Sequence, residues 1–163
     1  MNPMQIILAK TEHIDGIWRV FSQVVQRGDT YIYSPQTRKE QMMRLWFGEN
    51  TSTYVALLDG QVAGTYILKP NFVDLGSHVA NCSYMVDESF RGQKVGRRMA
   101  EHSFQEAKTK GFLPMQYNIV VSTNTVAVEL WKALGFKIIG VSPKAYRHLE
   151  LGLVDTYIMH REL

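Results

Sequence analysis

Several features that restrict the function of a protein are scarce or missing in this chain of 163 residues. The single cysteine, Cys82, excludes an intrachain disulfide, and a reducing, cytoplasmic setting is the simplest interpretation. No apolar run is long enough to cross a bilayer, so a membrane partner is not expected. The five histidines lack the spacing of metal ligands, and we expect no metal site.

A strong charge of either sign is also missing. The net charge is +3, and no block of five like charges occurs. This mild positive charge permits a polyanionic partner without requiring one, and the basic segment has no aromatic platform. Nucleic-acid binding is therefore the weakest of the functional interpretations, and we expect no nucleic-acid partner. The composition, 45% hydrophobic and 20% charged, is typical of a globular protein.

The arrangement of apolar residues predicts how strands and helices follow one another. Short β-branched runs and helical stripes occur in the order β-α-α-β-β-β-α-β-α-β-β. The pair Asp59-Gly60 tolerates the positive φ of a tight hairpin turn. Thr11 is the expected N-cap of the first helix, and Thr123 or Asn124 that of the last. The order predicts an α/β (α+β mixed) fold, with one mixed, largely antiparallel sheet of about seven strands and helices on both faces.

The basic segment SFRGQKVGRRM, at residues 89–99, lies between a predicted strand and a predicted helix. A strand, a glycine-containing loop and a helix N-terminus together present free backbone N–H groups to an anion, and the helix dipole favours negative charge. The glycine spacing matches neither the dinucleotide fingerprint nor the Walker A loop. On this loop alone, pyrophosphate binding and an ordinary turn with surface arginines are equally good interpretations.

A second segment, NTVAVELWKALGF at residues 124–136, opens with an asparagine and ends with Gly-Phe. Together with RGQKVGRRM at residues 91–99, it resembles the two signature segments of the GCN5-related N-acetyltransferase (GNAT) family. The predicted order of elements is similar to that fold along nearly the whole chain. The resemblance implies a single GNAT-like acyl-CoA N-acyltransferase domain over residues 1–163, with acetyl-CoA as the co-substrate.

The resemblance also implies which residues bind acetyl-CoA. The backbone of Tyr84, Met85 and Val86 would bind the pantetheine arm as an added strand does, where two neighbouring strands splay apart. Asn124 would hold the pantetheine from the other side, and Trp131 would contact the sulfur end. The pyrophosphate would lie on the basic loop, which contributes Arg91, Gly92, Gln93, Lys94, Val95, Gly96 and Arg97.

Two residues depart from the family pattern. Lys94 stands where the family usually has glycine. A positive φ there would cost a lysine about 1 kcal/mol or more, whereas a helical conformation, which we favour, would let the ammonium reach a phosphate. Trp131 stands where the family usually has the tyrosine that protonates the leaving thiolate, and indole cannot do this because its N–H only donates hydrogen bonds. Core packing is the simpler role of Trp131, and water then protonates the thiolate.

Polar residues in the strands that flank the expected cleft are candidates for the acceptor site. Asn81 and Asn118 are unusual in strands. They either bind a substrate carboxylate or polarise the acetyl carbonyl, or they satisfy backbone groups at a bulge. The segments HVANCSY and YNIVVSTN resemble the branch of the family that acetylates proline analogues such as azetidine-2-carboxylate in yeast, which favours the functional role. Tyr31 and Tyr33, in the loop RGDTYIY, are the expected walls of the pocket.

The expected reaction is a direct transfer of the acetyl group to a primary or secondary amine of a small amino- or imino-acid-like molecule. Backbone N–H groups of Tyr84 and Met85 would stabilise the oxyanion, with an asparagine assisting. Cys82 is more simply a core residue than a nucleophile, and His78 is a weak candidate base. The alternatives are a protein or peptide N-acetyltransferase and a catalytically inactive CoA-binding regulator, and the sequence leaves open whether the chain forms a homodimer.

Overall fold

The structure, a computed structural model, describes residues 3–163 of the chain. Seven strands and four helices in this part of the chain follow each other in the predicted order. The strands are β1 Gln5–Leu8, β2 Ser52–Leu58, β3 Gln61–Pro70, β4 Ala80–Val86, β5 Pro114–Val121, β6 Lys137–His148 and β7 Gly152–Glu162. The helices are α1 Ile14–Arg27, α2 Lys39–Trp46, α3 Val95–Thr109 and α4 Thr125–Ala133. None of these helices combines the length and apolar character that a membrane span requires.

The strands form one sheet in the order β1-β2-β3-β4-β5-β7-β6. All neighbours are antiparallel except β4 and β5, which confirms the predicted mixed, largely antiparallel sheet. Asp59 and Gly60 have φ values of 48° and 78°, as the tight turn between β2 and β3 requires. β4 and β5 are paired at a single position, Ala80 with Met115. Beyond that pair the two strands diverge, and a gap opens between them.

Helices cover both faces of the sheet, because successive side chains of a strand point to opposite faces. On one face, α3 and α4 pack on a cluster that includes Tyr66, Cys82, Tyr84, Met99, Phe104 and Trp131. On the other face, α1 and α2 pack on a cluster that includes Ile17, Phe21, Trp46, Val55, Ile67 and Met85. Tyr84 and Met85 are neighbours in β4 and belong to different clusters, so the gap beside β4 is bordered by side chains of both faces.

The first and last helices begin in different ways. Asn124 is the N-cap of α4, and its side-chain oxygen accepts a hydrogen bond from the Ala127 N–H at 3.3 Å. The prediction that Thr11 is the N-cap of α1 is wrong, because Thr11–His13 form a short 3₁₀ turn and α1 begins at Ile14. The 3₁₀ turn replaces the side-chain cap, as is common at helix N-termini.

Candidate active site

A cavity of about 1050 Å³ lies at the gap between β4 and β5. It extends from the basic loop and the first turn of α3 to the segment at residues 29–33, which connects α1 to α2. The residues predicted for the site that line it are Tyr31, Tyr33, Asn81, Tyr84, Met85, Val86, Arg91, Gly92, Lys94, Val95, Gly96, Arg97, Asn118, Asn124 and Trp131. Gln93 is the one predicted residue that does not line the cavity.

Alternate backbone groups of β4 face the gap. The Asp87 N–H, just beyond β4, donates to the Ala63 carbonyl of β3 at 2.9 Å. Because the direction of hydrogen bonding alternates along a strand, the N–H and C=O of Met85 also face β3, whereas those of Tyr84 and Val86 face the gap. The expected contribution of the Met85 backbone is therefore corrected: Met85 contributes its side chain to the wall, and the gap-facing N–H groups are those of its two neighbours.

Tyr31 is bonded to the gap-facing edge of β4. Its hydroxyl donates to the Tyr84 carbonyl at 2.6 Å and accepts from the Tyr84 N–H at 2.8 Å. Burial raises the pKa of the Tyr31 hydroxyl above its ordinary value, so it stays neutral and can do both. The Tyr146 hydroxyl donates to the Tyr31 carbonyl at 3.0 Å, and the ring of Tyr31 stacks on that of Tyr33. Tyr31 thus occupies the Tyr84 backbone groups, which belong to the set predicted to bind acetyl-CoA, and leaves those of Val86 unoccupied by its hydroxyl.

The basic loop contains two residues with left-handed backbone conformations. Gly92 has a φ of 79°, and Lys94 has a φ of 60° and a ψ of 19°. The favoured helical conformation of Lys94 is therefore wrong. Lys94 is instead the N-cap of α3, and its carbonyl accepts from the Arg98 N–H at 3.0 Å. A lysine in this conformation costs about 1–2 kcal/mol, so the loop stores strain next to the predicted phosphate site.

The first turn of α3 offers the anion-binding groups that the sequence predicts. The N–H groups of Val95, Gly96 and Arg97 have no acceptor within the helix, and the helix dipole favours an anion at this end. A Cβ atom added at Gly96 would meet only Val86, at an ordinary 3.6 Å. Internal packing therefore does not require glycine at this position, and the space above it is open to a ligand.

The arginines of the basic loop have weak partners on the surface. Arg97 Nε lies 3.0 Å from a carboxylate oxygen of Glu101, and Arg91 Nη2 lies 3.9 Å from one of Glu88. Lys94 has no carboxylate partner among the residues that the structure describes. Exposed pairs of this kind contribute little to stability. The guanidinium groups can therefore turn from these carboxylates to a bound phosphate at low cost.

Trp131 lies in the core and also borders the cavity. Its side chain is only 8% exposed, and its ring centroid lies 5.1 Å from that of Tyr84 and 4.9 Å from that of Tyr117. The Tyr84 hydroxyl bonds to the Tyr117 hydroxyl at 2.8 Å and to Ser103 Oγ at 2.7 Å. Burial raises the pKa of both tyrosines well above the ordinary value. Two neutral phenols thus lie beside the tryptophan that replaces the family's usual tyrosine.

The two predicted asparagines have different environments. Asn81 Nδ2 donates to the Gln116 carbonyl at 2.9 Å and so bridges β4 and β5 near the start of the gap. Asn118 lies in a bulge of β5, where its register against β7 shifts. Its side-chain amide pairs with that of Asn71, with N–O distances of 2.6 and 3.2 Å. Asn118 thus lies at a bulge and lines the cavity, but its amide bonds the side chains of Asn71 and Gln116. Its role with the acceptor stays a prediction.

Cys82 and His78, the remaining candidates, contribute no catalytic group in this geometry. Burial raises the pKa of the Cys82 thiol to about 12, so the thiol is protonated at neutral pH and is a poor nucleophile. His78 lies outside the lining of the cavity.

The residues predicted for the site did not include three polar residues near the gap: Lys69, Asn71 and Tyr117. Lys69 lies directly opposite Asn81 in the ladder between β3 and β4. Strand alternation could have placed Lys69 and Asn81 on the same face, but the register that pairs them depends on the hairpin and the loop between the strands.

Comparison with known proteins matches this chain to acetyltransferases. The description "Acetyltransferase (GNAT) family" belongs to a family model that matches residues 18–136. The N-acetyltransferase aca1 of Schizosaccharomyces pombe is 33% identical to this chain over 96 residues. The matched region covers 58% of this chain and 46% of that relative, so this chain spans less than half the length of the relative.

Solved structures extend the likeness to the whole fold. A GCN5-related N-acetyltransferase from Kribbella flavida is 40% identical, with a TM-score of 0.93 and 98% coverage of both chains. A phosphinothricin acetyltransferase (Pat) from Sinorhizobium meliloti, in complex with AcCoA, has a TM-score of 0.86 and 19% identity, covering 98% of this chain and 88% of that one. The second likeness shows the fold alone. With the family model matching more than half of its length, the chain belongs to the acetyltransferase (GNAT) family.

Proposed function

We propose that the chain is an acetyl-CoA-dependent N-acetyltransferase whose acceptor is a primary or secondary amine of a small amino- or imino-acid-like molecule. The gap between β4 and β5 carries this proposal, because one pair of residues joins the strands and a cavity passes between them. Anion-binding N–H groups border the cavity at one end, and amide and phenol side chains border it at the other. Family membership and the AcCoA complex of the S. meliloti neighbour support the choice of co-substrate.

Acetyl-CoA would lie in the cavity with its pyrophosphate at the first turn of α3 and its thioester near Tyr84. Its pyrophosphate would accept hydrogen bonds from the first turn of α3, reinforced by Arg91, Lys94 and Arg97. Its pantetheine arm would lie along β4 and exchange hydrogen bonds with the gap-facing backbone of Val86, as an added strand does. The thioester would then reach Tyr84, on the border between the two faces of the sheet.

The reaction is a direct displacement at the thioester carbonyl. The lone pair of the neutral amine attacks the carbonyl carbon and the C–N bond forms. The developing oxyanion needs a donor such as the Tyr84 N–H, which becomes available when the Tyr31 hydroxyl releases it. The C–S bond then breaks, the nitrogen loses its proton to water, and the thiolate takes a proton from water. Burial raises the pKa of the Cys82 thiol to about 12, so the thiol stays protonated at neutral pH and an acetyl-cysteine intermediate is disfavoured. Holding amine and thioester in the same cavity supplies much of the rate acceleration.

The test is incubation of the purified protein with acetyl-CoA and a panel of amines, with release of free thiol and the mass of the product as readouts. The panel contains proline, azetidine-2-carboxylate, other amino acids, polyamines and peptides with a free α-amine. We expect thiol release with the amino and imino acids. Release only with peptides would support a protein acetyltransferase instead, and tight acetyl-CoA binding without turnover would support a regulator.

Gly96→Asp is the matched control for the co-substrate site. The structure has room for a Cβ at this position, so the variant should fold, but its carboxylate would repel the pyrophosphate. It should lose both acetyl-CoA binding and thiol release. Turnover that survives in this variant would show that acetyl-CoA does not bind at the first turn of α3.

A further inference from the structure

The acceptor end of the cavity contains a cation that the proposed function has not used. Lys69, the next-to-last residue of β3, lines the cavity together with Asn81, Asn118 and Tyr31. It lies two residues after Ile67, which belongs to the cluster under α1 and α2, so its side chain points to that same face of the sheet. The basic loop leads into α3, which packs on the opposite face of the sheet. The sheet therefore lies between Lys69 and α3.

The charge of Lys69 is not balanced inside the cavity. Among the described residues, the one acidic residue that lines the cavity is Asp29, which lies 3.5 Å from Arg27 Nε. Arg27 also pairs with Glu88 at 2.8 Å. Lys69 has no ion pair and no side-chain hydrogen bond within residues 3–163. Lys69 is partly buried, and an ammonium without a partner in a binding cavity is suited to an anionic group of a ligand.

The neighbours of Lys69 are polar groups with free bonding capacity. Asn81 lies directly opposite Lys69, and side chains of opposed strand residues have Cβ atoms about 5 Å apart. Asn81 Nδ2 is fixed on the Gln116 carbonyl, whereas its Oδ1 has no donor among the described residues. The ammonium and the amide oxygen therefore offer a donor and an acceptor side by side, which matches a carboxylate next to an N–H group.

We propose that Lys69 is the residue that selects acceptors carrying a carboxylate, by forming an ion pair with that carboxylate at the acceptor end of the cavity. This rests on the proposed function, which supplies the amine and the transfer. Asn81 is three residues from Tyr84 along β4, about 10 Å at the rise of a strand. The flexible four-carbon stem of Lys69 can shorten that distance. The carboxylate belongs either to a free amino or imino acid or to the C-terminus of a short peptide.

The test compares two acceptors, one with the carboxylate and one without it. Proline and prolinamide share the ring amine, and the amide lacks the carboxylate. The ratio of kcat/KM for proline to kcat/KM for prolinamide is measured in each variant, so that the different basicity of the two amines cancels between variants. Lys69→Met removes the charge and keeps much of the length of the side chain. We expect this ratio to fall about tenfold or more, since hydrogen bonds to charged groups are the strong ones.

Two further variants separate specificity from structure. Lys69→Arg keeps the cation and should keep most of the preference for proline, whereas Lys108→Met, on the exposed last turn of α3, should leave both acceptors unchanged. The KM for acetyl-CoA should not change in any of the three variants. A Lys69→Met protein that loses activity equally with proline and prolinamide, or that loses none, would overturn the proposal while the proposed function stands.

Two other results complete the test. Transfer to dipeptides with equal sensitivity to Lys69→Met would assign the carboxylate to a peptide terminus, and insensitive dipeptides would assign it to the free amino or imino acid. Absence of turnover by the unmodified protein with every amine would overturn the proposed function and, with it, the role of Lys69.

Discussion

The hydroxyl of Tyr31 bonds both the carbonyl and the N–H of Tyr84, at 2.6 and 2.8 Å, across the border of the gap. The Tyr84 N–H faces the gap and is the donor that the proposed reaction would use for the oxyanion. A phenol that both donates and accepts has the bonding pattern of one edge of a β-strand, which is also the pattern of the pantetheine arm. We therefore expect Tyr31 and acetyl-CoA to compete for the backbone groups of Tyr84.

Removing the Tyr31 hydroxyl tests this competition. In Tyr31→Phe, the Tyr84 N–H and C=O lose their partner, so the free energy of unfolding without ligand should fall by about 1–3 kcal/mol. Saturating acetyl-CoA should then stabilise the variant more than it stabilises the unmodified protein, because the backbone groups are already free. Denaturant unfolding with and without acetyl-CoA measures both effects. Tyr33→Phe is the control, and an acetyl-CoA affinity that falls only in Tyr31→Phe would contradict the competition.

The strained conformation of Lys94 gives a second prediction. Glycine adopts a φ of 60° without the steric cost of a Cβ, so Lys94→Gly should raise the free energy of unfolding by about 0.5–1 kcal/mol after its larger unfolded-state entropy is included. Acetyl-CoA binding should weaken modestly, through the loss of one charge near the phosphates. Lys94→Ala loses the same charge and keeps the strain. If the alanine variant is stabilised as much as the glycine variant, the backbone strain is not the cause.

The buried thiol of Cys82 gives a third prediction. Cys82→Ala should keep its kcat, and intact-protein mass spectrometry during turnover should show no acetylated protein. Burial raises the pKa of this thiol from 9.0 to about 12. The folded state therefore retains a proton that the unfolded chain loses, so this thiol lowers the free energy of unfolding as the pH rises from 9.0 to about 12. The alanine variant should lose less stability in that window. A large fall in kcat would instead support covalent catalysis.

Asp87, just before the basic loop, forms an ion pair with Arg19. Burial alone would raise the pKa of Asp87, but the Ser89 N–H at 2.8 Å and Arg19 Nε at 3.0 Å outweigh it and hold the pKa below 3.8. This contribution to stability is present above the ordinary pKa and is lost as the pH falls through the lower folded-state value. Asp87→Asn should therefore cost about 1–3 kcal/mol at neutral pH and progressively less under acid conditions.

Glu101→Gln is the matched control for Asp87→Asn. It breaks the pair with Arg97, whose two side chains are about half exposed, whereas the side chain of Asp87 is 2% exposed. The cost of Glu101→Gln should stay below about 0.5 kcal/mol. Equal costs for the two variants in denaturant unfolding would show that the burial of Asp87 does not strengthen its pair.

Local patterns predicted the parts of the structure that local chemistry decides. Asp59-Gly60 and Asn124 have conformational preferences strong enough to define a turn and a helix start. The conformation of Lys94 could not be predicted in this way, because its left-handed φ is imposed by the closure of the loop onto α3 against the preference of the residue itself. The one available signal was that the family usually has glycine at this position. That signal indicated the positive φ that the structure shows.

Other features of the site depend on distant parts of the chain. The bond between Tyr31 and Tyr84 joins residues 53 positions apart, and the pairing of Lys69 with Asn81 depends on the register of two strands. The direction in which the Met85 backbone points likewise depends on which edge of β4 pairs with β3. Strand alternation gives two possible phases, and only the folded sheet selects one of them.

The sheet consists of two half-sheets, β1 to β4 and β5 to β7. One ladder pair, Ala80 with Met115, joins them. Each half-sheet has its own ladder of backbone hydrogen bonds, and between them the side-chain bonds of Tyr84 with Tyr117 and of Asn81 with the Gln116 carbonyl replace a continuous ladder. A ligand that lies along β4 inside the gap would contact both half-sheets at once. Amide hydrogen exchange in β4 and β5 would then slow together when acetyl-CoA binds, because contacts of the co-substrate with both half-sheets disfavour their separation.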